Sequence, residues 1–218
     1  MAAFPYRLVT VDIDGTLTAG HGWRYLAERL GQRREYEATQ LEFVAGRVGE
    51  DEHLRNLLRM AEGAPRRAMV RILEETPRVA GIAEGVRRLH ALSAHVALLT
   101  HNPRYVTDWY RAEFGFDAAD GLTGSPQFRA GLVASASEVK ADKVGGFRRL
   151  SERFGVARGG AAHVGDGAAD AQVFPFVGLG VAFGAASPAV RTAADVTVLG
   201  RDFRRVVQAL ERHRPARP

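Results

Sequence analysis

A β-type run, Tyr6 to Val11 (YRLVTV), breaks off at Asp12-Ile13-Asp14-Gly15-Thr16, and the long stretch that follows has a different periodicity. Branched and aromatic residues mark the first segment as a strand. Between Trp23 and Leu73 the apolar residues Leu26, Leu30, Leu54, Leu57, Leu58, Val70 and Leu73 fall at helical intervals. Gly31, Gly46, Gly49 and the Gly63-Ala64-Pro65 turn divide this stretch into three or four helices. After Pro77 strands and helices alternate. Ile82–Leu92 reads as a helix, His95–Thr100 as a buried strand and Arg104–Phe114 as a helix. Phe116–Ser137 reads as a strand and a hairpin, and Ala141–Phe154 as a helix stopped by Gly155. Ala161–Val164 is a strand and Ala169–Phe174 a short helix. Leu179–Phe183 and Asp195–Leu199 are strands flanking a helix at Pro188–Ala193, and Phe203–His213 is the last helix. This alternation predicts an α/β fold, a parallel sheet with helices on both faces, into which a helical segment is inserted after the first strand.

Composition narrows the function classes. Of the 218 residues 46% are hydrophobic and 25% charged, a globular balance. There is no cysteine, which excludes disulfides, thiolate-held metals and a thiol nucleophile. The most apolar stretch, Val173–Ala186, contains Pro175 and three glycines and is shorter than the roughly 18 residues a membrane span needs. The N-terminal apolar residues are interrupted by Arg7 and run into Asp12 and Asp14, unlike a signal peptide. A cytoplasmic protein without a membrane partner is expected. The net charge of +5 raises the question of nucleic acid. However, Thr18–Pro77 is neutral, with ten Arg against ten Asp/Glu, and Arg201–Pro218 carries six Arg against two acids, so the excess is a basic tail rather than a binding face. No nucleic-acid partner is expected, and the oligomeric state is not legible.

Four features at predicted strand ends carry chemistry. The first is Asp12-x-Asp14-Gly15-Thr16; ligands of open α/β sheets bind outside the carboxyl ends of strands. A capping turn needs one Asp, and D-x-D-G-T arises by chance in about one chain in a thousand of this size. Strand alternation would point Asp12 and Asp14 to one side, away from Ile13. The second is Thr100-His101-Asn102, whose hydroxyl is suited to an oxyanion or to capping the next helix. The third is a lysine at a helix start. Of 30 basic residues only Lys140 and Lys143 are lysines, and an ammonium differs physically from a guanidinium. The fourth is Gly165-Asp166-Gly167-Ala168-Ala169-Asp170. Such a cluster of carboxylates needs a cation. With oxygen donors alone that cation is Mg²⁺, beside a carboxylate able to act as a nucleophile toward phosphorus.

Together DIDGT, the threonine of LLTHN, Lys143 and GDGAAD resemble the haloacid dehalogenase superfamily of phosphatases, in order and strand placement, across the chain. The chain is most similar to the phosphoserine-phosphatase-like branch, and the spacing from Lys143 to Asp166 selects Lys143 over Lys140. The resemblance implies a Rossmann-like α/β core of residues 1–17 and 78–218 and a small α-helical cap of residues 18–77. It implies a Mg²⁺-dependent phosphomonoesterase for a small phosphorylated metabolite, working through an aspartyl-phosphate. In that reading Asp12 attacks phosphorus and Asp14 serves as acid and then base. Thr100 and Lys143 hold the phosphoryl oxygens. Asp12, the Asp14 carbonyl and Asp166 hold the metal, and Asp170 acts from behind them on a metal-bound water or on Lys143. Gly15 and Asn102 would offer donors to the phosphate. The branch's substrate-reading residues are replaced: His21 stands where a glutamate usually contacts the amine, Leu57 where an arginine takes the carboxylate, and Glu50 where a phenylalanine packs. Ala169 replaces an asparagine, and Thr-His-Asn replaces the usual Ser-Gly-Gly. Phosphoserine itself is therefore not the expected substrate, and His21, Trp23, Arg24, Arg55 and His101 are candidates for substrate contact. A non-catalytic phosphate binder or a signalling phospho-acceptor is the alternative; receiver domains of that kind are shorter and lack an insertion.

Overall fold

A computed structural model describes residues 3–135 and 138–217. Met1, Pro218 and Ser137, the end of the segment read as strand and hairpin, lie outside the described residues. The chain runs β1 (Leu8–Val11), α1 (Gly22–Arg29), α2 (Arg33–Val44), α3 (Glu50–Ala61), α4 (Arg66–Glu75), α5 (Ile82–Ala91), β2 (His95–Leu99), α6 (Arg104–Phe114), β3 (Ala118–Asp120), β4 (Leu122–Thr123), β5 (Phe128–Arg129), β6 (Leu132–Val133), β7 (Lys140–Ala141), α7 (Lys143–Phe154), β8 (Ala161–Gly165), α8 (Ala168–Ala171), β9 (Leu179–Phe183), α9 (Pro188–Ala193), β10 (Val196–Val198) and α10 (Arg204–Arg212).

Six strands form one sheet in the order β10-β9-β8-β1-β2-β3, and every pair in it is parallel. Such a sheet is covered on both faces, so its strands are apolar at consecutive positions. Val9, Val11, Val96, Leu98 and Val164 pack with Val86 and Leu89 of α5, Tyr110 of α6 and Leu210 of α10. Leu8, Ala97, Leu99 and Ala161, pointing the other way, pack with Phe147 and Leu150 of α7. The chain leaves β1 toward β2 and β3, then returns to β8 on the opposite side of β1. The reversal opens a crevice between the carboxyl ends of β1 and β8, where ligands of such sheets bind.

The helical segment resolves into α1 to α4. Its turn between α3 and α4 is laced by main-chain bonds to the β5–β6 hairpin. Gly63 N–H donates to Val133 O at 2.9 Å, Val133 N–H to Ala64 O at 3.0 Å, and Arg66 N–H to Gly131 O at 2.8 Å. The helix expected from Ala141 begins two residues later. Lys140 and Ala141 instead pair antiparallel with Thr123 and Leu122 as β7. Asp142 then caps α7, its side chain accepting from Gly145 N–H at 2.9 Å, so Lys143 is the first helical residue. Among the described residues no helix is long and apolar enough to cross a membrane.

Leu98 is fully buried in the middle of the sheet. Leu98→Ala is expected to lower the unfolding free energy by about 2–5 kcal/mol through lost transfer energy and the cavity left behind, read as a lower urea midpoint at unchanged slope.

Candidate functional site

The crevice between β1 and β8 gathers three acids and one ammonium. Asp12 lies just past β1 and its N–H donates to Val164 O at 2.9 Å, which holds it in line with the sheet. Lys143, on the first turn of α7, places Nζ 2.8 Å from Asp12 Oδ1 and 2.6 Å from Asp170 Oδ1. All three side chains are buried. Asp170 is the most heavily bonded. Its Oδ1 also lies 2.9 Å from His163 Nε2, and its Oδ2 accepts the N–H groups of Asp166 at 3.1 Å and Gly167 at 2.9 Å. His163 in turn sets Nδ1 2.9 Å from Thr10 Oγ1. Asp166 accepts from Thr16 Oγ1 at 3.0 Å. Two glycines make the crowding possible. A Cβ on Gly15, whose φ is +79°, would meet Asp166 Oδ2 at 2.1 Å, and one on Gly165 would meet Asp170 Cγ at 2.1 Å.

One ammonium does not balance two buried carboxylates and a half-buried third, and the titration behaviour follows from that. Burial would raise Asp170, but Lys143 and His163 outweigh it and hold the carboxyl well below its usual range. Burial opposes the charge on Lys143, yet Asp12 and Asp170 hold its ammonium above the usual lysine range. Asp12 is pushed up by burial, with Lys143 opposing. Asp166 is pushed up to about 7, by burial first and then by the charges of Asp12 and Asp170. Oxygens of Asp12, Asp166 and Asp170 all lie within 4.8 Å of one another. An all-carboxylate donor set with two members held against ionisation is the chemistry of a hard divalent cation site.

Asp14 belongs to a different environment. Because β1 stops at Val11, strand alternation no longer orients Asp12 and Asp14; their partners do. Asp14 Oδ1 accepts Gly22 N–H at 2.8 Å, at the start of α1, and Oδ2 accepts Asn102 Nδ2 at 2.9 Å. Burial raises its carboxyl above the ordinary value, against these hydrogen bonds. Asn102 Nδ2 also reaches Thr100 Oγ1 at 3.1 Å within the loop after β2, and its bond to Asp14 joins that loop to the loop after β1. The N–H of Gly15 donates to Thr18 Oγ1 at 2.9 Å. The donors of Gly15 and of the Asn102 side chain, expected to face a phosphate, are thus engaged within the protein here.

The candidates for substrate contact separate. Lys140 is exposed on β7, away from the acids. Trp23 is buried and lines a small cavity together with Asp14, Asn102, Leu26, Ile72, Tyr105 and Tyr110. Arg24 is exposed and pairs with Glu28 along α1 at 3.2 Å. His21 is exposed at the start of α1, where its charge is felt by Asp14. Arg55 is half-buried on α3 with no ion pair among the described residues. His101 reaches across to the first residue of α3, its Nδ1 3.2 Å from Glu50 Oε1. His163 and Thr16 were not singled out in the sequence. Thr16 stands inside DIDGT, but nothing local distinguishes His163 from an ordinary strand residue.

The model of the haloacid dehalogenase-like hydrolase family matches residues 6–178. A phosphoserine phosphatase of Archaeoglobus fulgidus is 30% identical over 188 residues, which cover 82% of this chain and 53% of that protein. One from Mycobacterium tuberculosis is 26% identical over 194 residues, 88% of this chain and 47% of that protein. The chain thus spans about half the length of these curated relatives. Among solved structures, a phospho-aspartyl intermediate analogue of phosphoserine phosphatase superposes with a TM-score of 0.78 at 20% identity, covering 94% of this chain and 98% of that one. A hydrolase of the same family from Salmonella enterica serovar Typhi gives 0.85 at 18% identity, covering 96% and 73%.

The shifted acids set the dependence of stability on pH. Between about pH 4 and 7 folded Asp166 keeps a proton that the unfolded chain has lost, so its contribution makes the metal-free protein less stable as pH rises through that window. Asp170 acts in the opposite sense: its stabilisation is present above about pH 4 and is lost below it. Asp166→Asn is expected to raise the melting temperature of metal-stripped protein at pH 7 by about a few degrees and to flatten its pH slope, measured by thermal melts from pH 4 to 8.

Proposed function

This chain belongs to the haloacid dehalogenase-like hydrolase family, and from that premise we propose that it hydrolyses a phosphate monoester of a small metabolite through an aspartyl-phosphate on Asp12. The observation that carries the reading is the division of labour between two aspartates two residues apart. Asp12 faces the Lys143 ammonium, while Asp14 sits in a separate pocket where burial raises its carboxyl against its hydrogen bonds to Asn102 and Gly22.

In the first step an Asp12 oxygen attacks phosphorus, and the bond from phosphorus to the ester oxygen breaks. Asp14 gives its proton to that oxygen, which leaves as the alcohol. In the second step Asp14, now ionised, takes a proton from water as the water oxygen attacks the same phosphorus. The bond from phosphorus to Asp12 breaks, and inorganic phosphate leaves. Lys143 and the Thr100 hydroxyl hold the equatorial oxygens in line, and Asp170, clamped by His163, holds Lys143 in place. Asp12, the Asp14 carbonyl and Asp166 would hold Mg²⁺. When bound, it neutralises the phosphoryl charge and lets the crowded carboxylates ionise together. Residues 18–77 act as a cap that excludes bulk water over a core of residues 1–17 and 78–218. In this reading Gly15 and Asn102 would serve the phosphate, and His21, His101 and Arg55 the leaving alcohol.

The substrate is not read as phosphoserine, although the relatives named above carry that name. Leu57 is a buried core residue, and Glu50 faces His101, so neither offers a cation to a substrate carboxylate.

The test is phosphate release from a panel of small phosphomonoesters, with Mg²⁺ and with EDTA. Turnover is expected with Mg²⁺ and not with EDTA, and Asp12→Asn is expected to lower it by more than about 10³-fold. Absence of release from every ester by folded, Mg²⁺-binding protein would overturn the reading. Because Asp166 is half-protonated near neutrality, Mg²⁺ binding at pH 7 is also expected to release protons, seen as a buffer-dependent heat in calorimetry.

A further inference from the structure

The contact between Glu50 and His101 crosses from the inserted helices to the loop that carries Thr100. Glu50 opens α3, and His101 directly follows Thr100. Next to Glu50, Asp51 Oδ1 accepts the Ala141 N–H at 2.8 Å, two residues before Lys143. The start of α3 is therefore fastened beside the elements that bear Thr100 and Lys143. Glu50 thus lies beside these two elements through the contacts of His101 and Asp51, and the Lys143 charge helps to hold its carboxyl down.

The two side chains are unequal. The His101 side chain is only 15% exposed, whereas that of Glu50 is 42% exposed. His101 beside Glu50 holds its carboxyl below the usual range, so it is ionised near neutrality. One Glu50 oxygen faces the ring, and no hydrogen bond or ion pair among the described residues reaches the other. His101 Nε2 is buried and also lacks a partner among the described residues. Arg55, further along α3, makes no ion pair with Glu50. A fixed anion with a free acceptor, oriented by a largely buried ring, thus stands beside the loop that carries Thr100. It accepts from an ammonium or hydroxyl and repels a carboxylate.

We propose that Glu50, positioned by His101, is the specificity-determining residue, selecting phosphate esters whose alcohol carries a hydrogen-bond donor and no carboxylate. This rests on the phosphatase reading above and adds the substrate class to it.

Glycerol 3-phosphate and 3-phosphoglycerate form the matched probe pair, since one carries a terminal hydroxyl where the other carries a carboxylate. O-phosphoethanolamine separates the ammonium donor from the hydroxyl donor. Wild type is expected to favour glycerol 3-phosphate over 3-phosphoglycerate by at least about tenfold in kcat/KM. Glu50→Gln, which keeps the shape and removes the charge, is expected to reduce that ratio about tenfold, mainly through KM, and Glu50→Asp to retain part of it. The same probes titrated calorimetrically into Mg²⁺-loaded Asp12→Asn protein, with and without Glu50→Gln, read the preference without turnover. A wild-type preference for 3-phosphoglycerate, or a ratio that Glu50→Gln leaves within twofold in both assays, overturns the proposal. If no ester is turned over while the binding preference appears and depends on Glu50, the phosphatase reading fails and the assignment of Glu50 stands.

Discussion

The Lys143 ammonium between Asp12 and Asp170 is the contact on which the centre of this protein depends. It joins three separate elements: the end of β1, the first turn of α7 and the helix after β8. All three groups are buried, so none finds water as a substitute partner. Removing one partner of a buried pair leaves an uncompensated charge and typically costs about 3–5 kcal/mol. Asp170 is held in turn by His163, which reaches back to Thr10 of β1, and by two backbone N–H groups. The network therefore ties β1 to β8 across the crevice where strand order reverses. One cation for three acids still leaves negative charge in excess, and that excess is what suits the crevice to a divalent metal ion.

Asp14 shows how two identical side chains acquire different chemistry. It lies two residues from Asp12 but meets Asn102 and the N-terminus of α1 instead of the ammonium. Its raised carboxyl comes from burial, which outweighs the hydrogen bonds from Asn102 and Gly22. The Asn102 bond also couples the loop after β2 to the start of the inserted helices, so the geometry of the acid and the position of the insertion are linked.

The insertion meets the rest of the chain at several separated points. Its α3–α4 turn is laced to the β5–β6 hairpin, and the start of α3 is fastened at Ala141 and His101. The last two of these attachments lie beside the elements that carry Lys143 and Thr100.

Much of this was legible in the chain because its causes are local. Two-sided burial makes strands such as YRLVTV and HVALL continuously apolar, and helix faces repeat at 3.6 residues, so the alternation and the helical insertion could be read directly. The acids stood out because carboxylates clustered at strand ends are electrostatically costly, and costly features are rare by chance. What remained hidden depends on residues far apart in sequence. Asp142 capping α7 moved its start from Ala141 to Lys143. Trp23 lines a buried cavity beside Asp14, and Arg24 turns to Glu28. His163 is a plain strand residue until folding sets Asp170 beside it, and Glu50 meets His101 only once α3 lies over the sheet. The sequence by itself determined the sheet, the inserted helices and the inventory of reactive groups, because periodicity and local charge density are properties of short segments. Which acid meets the ammonium, which is held against ionisation and which meets His101 were settled in three dimensions, because burial and pairing across the crevice set those differences.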